Sequence, residues 1–278
     1  MSSPDPRALT DARLQLHYAV QLIPVFGRSY VAARDDDSHR SMTWDPDRRS
    51  FLSQPSDSSV SGVRVHIAPR HLTASVRQDG EERASFSLVG LTPGEAMARL
   101  ADVLSPLFGP DAQDLEWPEY ELPDHPLAHG GRFTGTPQDH FADLEERYDQ
   151  AAALLGELAA AEPHATPVRC WPHHFDIARL LLLDPELGAG EGRSVGVGMS
   201  PGDGGYPEPY WYVTPYPYPE AEELPPLPPG GHWHQEGWFG AVLTATAAAE
   251  AEAHARDVTR AFLTQAVAAN RALLEEGS

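Results

Sequence analysis

Apolar residues along this chain repeat with two different periods, and each change of period marks a change of element. From Val63 the period is two: Val63, Val65 and Ile67, then Leu72, Ala74 and Val76, an Asp79-Gly80 turn, then Ala84, Phe86 and Leu88. Side chains on a strand point alternately to opposite faces, so this run predicts an antiparallel meander with one apolar face. Ahead of it, Leu14, Tyr18 and Leu22 recur at helical spacing behind Thr10, a residue suited to cap a helix, and Pro24 ends or kinks that helix. His17 and Gln21 lie one turn apart on a shared face. Residues 35–61 are rich in Asp, Ser and Arg and read as an exposed loop or a weak hairpin anchored by Trp44 and Phe51.

Thr92-Pro93-Gly94-Glu95 combines a capping box with proline at the first helical position, and Ala96, Leu100, Leu104 and Leu107 give the following helix one apolar face. Gly109-Pro110 stops it, and a short strand is expected around Leu115 to Trp117. Thr136-Pro137 starts a longer helix in which Phe141, Leu144, Tyr148, Ala151, Leu155 and Leu158 are spaced by threes and fours. Residues 166–220 then place strand-like apolar runs on both sides of a Gly- and Pro-rich hinge. Ten of the 27 prolines fall between Pro201 and Pro229, and residues 225–231 read as a stiff polyproline-like connector. A strand over 237–245 and a terminal helix over 246–276, with Val258, Phe262, Ala269 and Leu273 inward, complete the pattern. The fold class this predicts is α+β: antiparallel sheets with helices packed on one face, in two similar halves. The halves are placed at 1–130 and 131–278, or run together as one continuous domain.

Composition narrows the partners. The 278 residues carry 41 acidic and 20 basic side chains, a formal charge of -21, which repels a phosphate backbone and an anionic bilayer. Nucleic acid and membrane are therefore not expected as partners, and a small molecule, cationic or aromatic, is. Every basic residue is Arg, so a P-loop lysine and a lysine Schiff base are both excluded. A single cysteine forms no internal disulfide, the first fifteen residues contain no apolar signal core, and no apolar run approaches the ~18 residues of a membrane span. A cytoplasmic location is expected.

The candidate chemistry clusters around the hinge. If residues 173–176 are extended, alternation puts His174 and Asp176 on one face. The same rule puts His232, His234 and Glu236 on one face of the segment Gly231 to Glu236, and His/His/carboxylate is a ligand set for zinc and non-haem iron. A smaller set of His234, Glu236 and Asp176 is harder and suits manganese or magnesium better. Gly198-Met199-Ser200-Pro201-Gly202 matches G-x-S-x-G, but the Pro and Gly residues behind Ser200 forbid the helix that a nucleophile elbow requires. Cys170 reads as a small buried hydrophobe. Asp203 in its Gly-rich context reads as a turn residue, whereas Glu208, between prolines and just before a strand, is not placed to cap a helix and is the candidate acid/base.

With these residues in view, the chain resembles an uncharacterised bacterial family, number 5996 among the domains of unknown function. Leu16-His17 with Gln21 resembles its N-terminal helix, and Thr166-Pro167-Val168 with Phe175-Asp176-Ile177-Ala178 its central strand. Gly198, Pro201-Gly202, Glu208-Pro209, Tyr212 and Tyr216-Pro217 resemble its hinge, and His234 and Glu236 fit a fourth point. The resemblance implies a shared fold and a short list of polar positions, and it carries no activity.

Together these readings favour a metal-dependent enzyme acting on a small molecule. His174, Asp176, His232, His234 and Glu236 are its expected ligands for a divalent zinc, iron or manganese ion, with Glu208 as acid/base. His17, Gln21, Trp171 and Tyr212 are the expected ligand-binding residues, and the main pocket is expected among Trp171, Asp176, Glu208 and Tyr212. The alternative is a non-catalytic small-molecule-binding or interaction module that uses the same aromatic residues.

Overall fold

The computed structural model describes residues 5–160, 162–187, 190–220, 223–251 and 254–276. Its chain divides into two compact units, Met1–Asp149 with Arg169–Phe175, and Gln150–Val168 with Asp176–Ser278. The division falls inside a helix, Gln138–Ala159, rather than near residue 130. Both units contain antiparallel sheet and helices, which is the α+β class.

In the first unit, helices α1 (Thr10–Val20) and α2 (Leu22–Tyr30) are continuous but for Gln21. Thr10 is the first residue of α1 rather than its cap, because a short 3-10 turn, Pro6–Leu9, leads directly into it. Pro24 does not end the helix either: it stands in the first turn of α2, where a missing N–H interrupts nothing. The polar segment forms the weak hairpin, β1 (Thr43–Asp45) and β2 (Ser50–Leu52), with Trp44 paired to Phe51. Strands β3 (Val63–Ala68), β4 (Thr73–Gln78) and β5 (Glu81–Ser87) are the meander, and the sheet order is β1-β2-β3-β4-β5. Val63, Val65, Ile67, Ala74 and Val76 are fully buried, as the period of two requires. Helix α3 (Pro93–Phe108) opens with the complete Thr92/Glu95 capping box, but its apolar face ends at Phe108 rather than Leu107. The expected strand at 115–117 is irregular chain. Helix α4 is Gln138–Ala159, and β6 (Arg169–Trp171) bridges back to Met42 through Cys170.

In the second unit, β7 (Asp176–Leu182), β8 (Ser194–Ser200), β9 (Tyr210–Tyr216), β10 (His232–His234) and β11 (Gly240–Thr244) lie in the order β10-β11-β9-β8-β7, all neighbours antiparallel. The expected single terminal helix is two, α5 (Ala245–Glu250) and α6 (Ala255–Glu276). Helix α6 packs on β8, β9 and β11, and Val195, Val197, Val213 and Leu243 beneath it are fully buried. On the opposite face the register sets Ala178, Gly198, Tyr212, Val242 and His232 in one row across the sheet.

Glycine at 198 is what that row requires. A methyl group there would stand 2.5 Å from Tyr212 Cζ and 2.8 Å from Ala178 Cβ, so only a bare backbone lets the Tyr212 ring cross β8. Gly198→Ala is expected to destabilise the protein by about 1–3 kcal/mol, the range for overpacking a filled site, and to displace Tyr212. Urea unfolding followed by near-UV circular dichroism checks both effects.

Candidate functional site

Crossing β8 brings the Tyr212 hydroxyl to Asp176 at the start of β7, where it donates to Oδ2. Tyr210, two residues earlier on the same face, donates to Asp203 Oδ2 at 2.6 Å. Trp238, from the bend between β10 and β11, completes a triangle of rings: centroids are 6.3 Å apart for Tyr210–Tyr212, 6.5 Å for Tyr210–Trp238 and 6.4 Å for Tyr212–Trp238. His234 stacks on Trp238 at 4.3 Å, and Tyr206 lies 4.7 Å from Tyr210. Five rings are thus contiguous, two of their phenols tied to carboxylates.

Asp203 has the turn role read from its context. Its Oδ1 accepts from the Gly205 and Tyr206 amides at 2.8 and 2.9 Å, and its own amide donates to the Tyr206 carbonyl at 2.7 Å. That loop carries the Tyr206 hydroxyl to His232 Nε2 at 3.0 Å and His234 Nδ1 at 2.9 Å. The two histidines do share a face of β10, as alternation requires. Partial desolvation, and then His234 beside it, lower the His232 pKa; burial, and then Asp203, raise that of Tyr206.

The remaining expected ligands do not join them. Strand β10 ends at His234, so Glu236 falls in the following bend, and its backbone carbonyl accepts from His234 Nε2 at 2.7 Å. Residues 172–175 are a turn rather than a strand: Pro172 has no N–H to pair, Phe175 takes the left-handed conformation at φ 59°, and its amide closes on the Trp171 carbonyl at 2.7 Å. Alternation therefore does not apply there, and His174 is exposed on the turn, its ring 4.2 Å from that of His173. Among the described residues no group of three or more His, Cys, Asp or Glu could hold a metal ion. The residues proposed as ligands do not fit that use.

Glu208 is a correction of a different kind. No helix starts directly after it, yet its Oε2 accepts from Thr246 N at 2.6 Å, at the start of α5. Pro209 O and Thr244 Oγ1 take the amides of Ala245 and Ala247, so Glu208 completes the capping of a helix remote in sequence. Ser200 is likewise structural: it ends β8, its Oγ accepts from the Gly202 amide at 3.2 Å, and no helix follows it.

In the first unit, His17 and Gln21 support the 172–175 turn. His17 Nε2 donates to the Pro172 carbonyl at 2.8 Å, Gln21 Nε2 donates to the same oxygen at 2.9 Å, and the Tyr120 hydroxyl donates to Gln21 Oε1 at 2.5 Å. The His17 ring stacks on Phe175 at 5.0 Å, and Tyr148 donates to the Phe175 carbonyl. Trp171 is half-buried, edge-on to His173 at 6.3 Å. Burial pushes the pKa of His17 down to about 4, and that of His66, bonded to Ser50 Oγ, also to about 4.

A groove of about 590 Å³ between α6 and the side chains of Leu154, Glu157, Leu158 and Glu162 is lined by none of Trp171, Asp176, Glu208 or Tyr212. Its floor of Leu154, Leu263 and Val267 is already buried, and its rim is closed by the Arg260–Glu157 and Arg271–Glu162 ion pairs. No helix among the described residues is long and apolar enough to cross a membrane. Comparison with known proteins finds no matching family model, no matching curated protein and no matching solved structure.

The residues that sequence reasoning missed are Trp238 and the bridging hydroxyl of Tyr206. Trp238 lies in an irregular bend, where no period assigns a face, and Tyr206 is positioned by the Asp203 turn rather than by a strand.

Two outcomes follow. Glu208→Ala leaves the Thr246 amide without its acceptor and is expected to lower stability by about 1–2 kcal/mol; thermal unfolding checks this. For His17 and His66 the unfolded chain titrates near 6.5 and the folded protein near 4, so between those values the unfolded state binds more protons. Their contribution, at most about 3 kcal/mol each, is complete above pH 6.5 and is lost as pH falls toward 4. Urea midpoints across this window are expected to fall less steeply for His17→Gln and His66→Gln than for the native chain.

Proposed function

We propose that the second unit is a non-catalytic binding module that takes a small organic cation on its ring cluster. The observation that carries this is the triangle of Tyr210, Tyr212 and Trp238, with Asp203 and Asp176 hydrogen-bonded to the two phenols. Ring faces attract a cation within about 6 Å of their centroids, and the carboxylates behind the phenols add negative potential to the same surface. The formal charge of -21 draws cations toward the molecule as a whole. A hydrolytic or redox metal centre is not the reading these residues favour, because both nitrogens of His234 and one of His232 are already hydrogen-bonded.

Titration of chelator-treated protein with benzylamine and other cationic aromatics, followed by tryptophan fluorescence, tests the proposal. Saturable binding is expected to survive the chelator, to weaken about tenfold in Trp238→Ala, the scale of a desolvated cation–π contact, and to be unchanged in Glu208→Ala. Binding that appears only on addition of a divalent metal, or equal binding of neutral benzyl alcohol, would turn against it.

A further inference from the structure

The hydrogen-bond chain through Tyr206 has a single polarity. The Glu236 carbonyl only accepts, so His234 Nε2, 2.7 Å away, carries a hydrogen. In the neutral ring Nδ1 is then an acceptor, and the Tyr206 hydroxyl donates to it at 2.9 Å. Having given its one hydrogen, the Tyr206 oxygen accepts from His232 Nε2 at 3.0 Å. His232 is thereby held as the Nε2–H tautomer, and its Nδ1 keeps a bare lone pair at an exposed position. The Asp203 turn fixes the centre of this chain through the Tyr206 amide, and Trp238 stacks against its inner end at His234.

From this we infer that His232 Nδ1 is a hydrogen-bond acceptor for the ligand, and that the cation bound by the ring cluster carries an N–H. A primary or secondary ammonium or a guanidinium fits, and a quaternary ammonium does not. The inference rests on the ring cluster being a cation site. Ring faces attract both kinds of cation; the lone pair distinguishes them, because a methyl group in place of the N–H leaves the imidazole nitrogen desolvated and unbonded. Sites built to bond an N–H reject analogues that lack it more strongly than apolar contacts alone allow.

Two measurements test this. Long-range ¹H–¹⁵N spectra of the free protein are expected to show His232 protonated at Nε2 and bare at Nδ1, with that bias lost in Tyr206→Phe; the opposite tautomer in the native chain overturns the inference whatever binds. Benzylamine is then compared with benzyltrimethylammonium at neutral pH. The amine is expected to bind roughly tenfold more tightly, the worth of one good hydrogen bond to a charged group, with the ratio falling to about one in His232→Phe. Equal affinities in the native protein overturn the N–H requirement and leave the ring cluster standing as a cation site. Binding of neither compound overturns both.

Discussion

The ring face of the second unit depends on Tyr212 crossing β8 above Gly198. A side chain on β9 reaches a carboxylate on β7, two strands away, only if the strand between presents no Cβ in its path. Gly196 repeats the condition two residues earlier, where a Cβ would stand 2.8 Å from Thr214 Oγ1. The Val-Gly-Val-Gly run of β8 therefore has two duties. Its valines fill the core under α6, and its glycines leave the other face low enough for a neighbour's ring to lie flat. Once Tyr212 is down, Tyr210 and Trp238 stand at nearly equal distances around it, and the aromatic surface follows.

Two sets of polar groups, one in each unit, are satisfied by partners distant in sequence. The Pro172 carbonyl takes two donors, His17 and Gln21, and the amide oxygen of Gln21 is filled in turn by Tyr120. An unfilled buried donor or acceptor costs about 1–3 kcal/mol, so these residues hold one another in place and hold the left-handed Phe175 with them. The start of α5 follows the same logic: a carbonyl, a carboxylate and a hydroxyl serve its first three amides.

That is also why the fold was more legible than the site. The meander, the Thr92 helix and the Trp44/Phe51 hairpin are local patterns, and a period or a capping box states each of them within a dozen residues. The α+β class follows from such patterns alone. The alternation of His232 and His234 was legible on the same grounds. Glu208 was not, because its partner is 38 residues away and sequence order excluded the cap that spatial order provides. Residues 172–175 defeated alternation because one proline and one left-handed phenylalanine convert a strand into a turn. Trp238 belongs to no periodic element, and only the fold shows what lies beside it.

On the proposed reading, the histidines put a composition suited to metal to another use. An imidazole offers two nitrogens, and a metal ligand needs one of them as a bare lone pair directed at the ion. In His234 one nitrogen faces a hydroxyl and the other a carbonyl, so coordination would require breaking a bond of 2.9 or 2.7 Å first. His232 has one nitrogen bound to the same hydroxyl, which leaves a single lone pair for anything outside. One lone pair cannot build a coordination sphere, but it can orient one N–H donor beside a bank of aromatic rings. The alternation that places the two rings together suits both uses equally. Between the two rings stands the Tyr206 hydroxyl, which is hydrogen-bonded to a nitrogen of each.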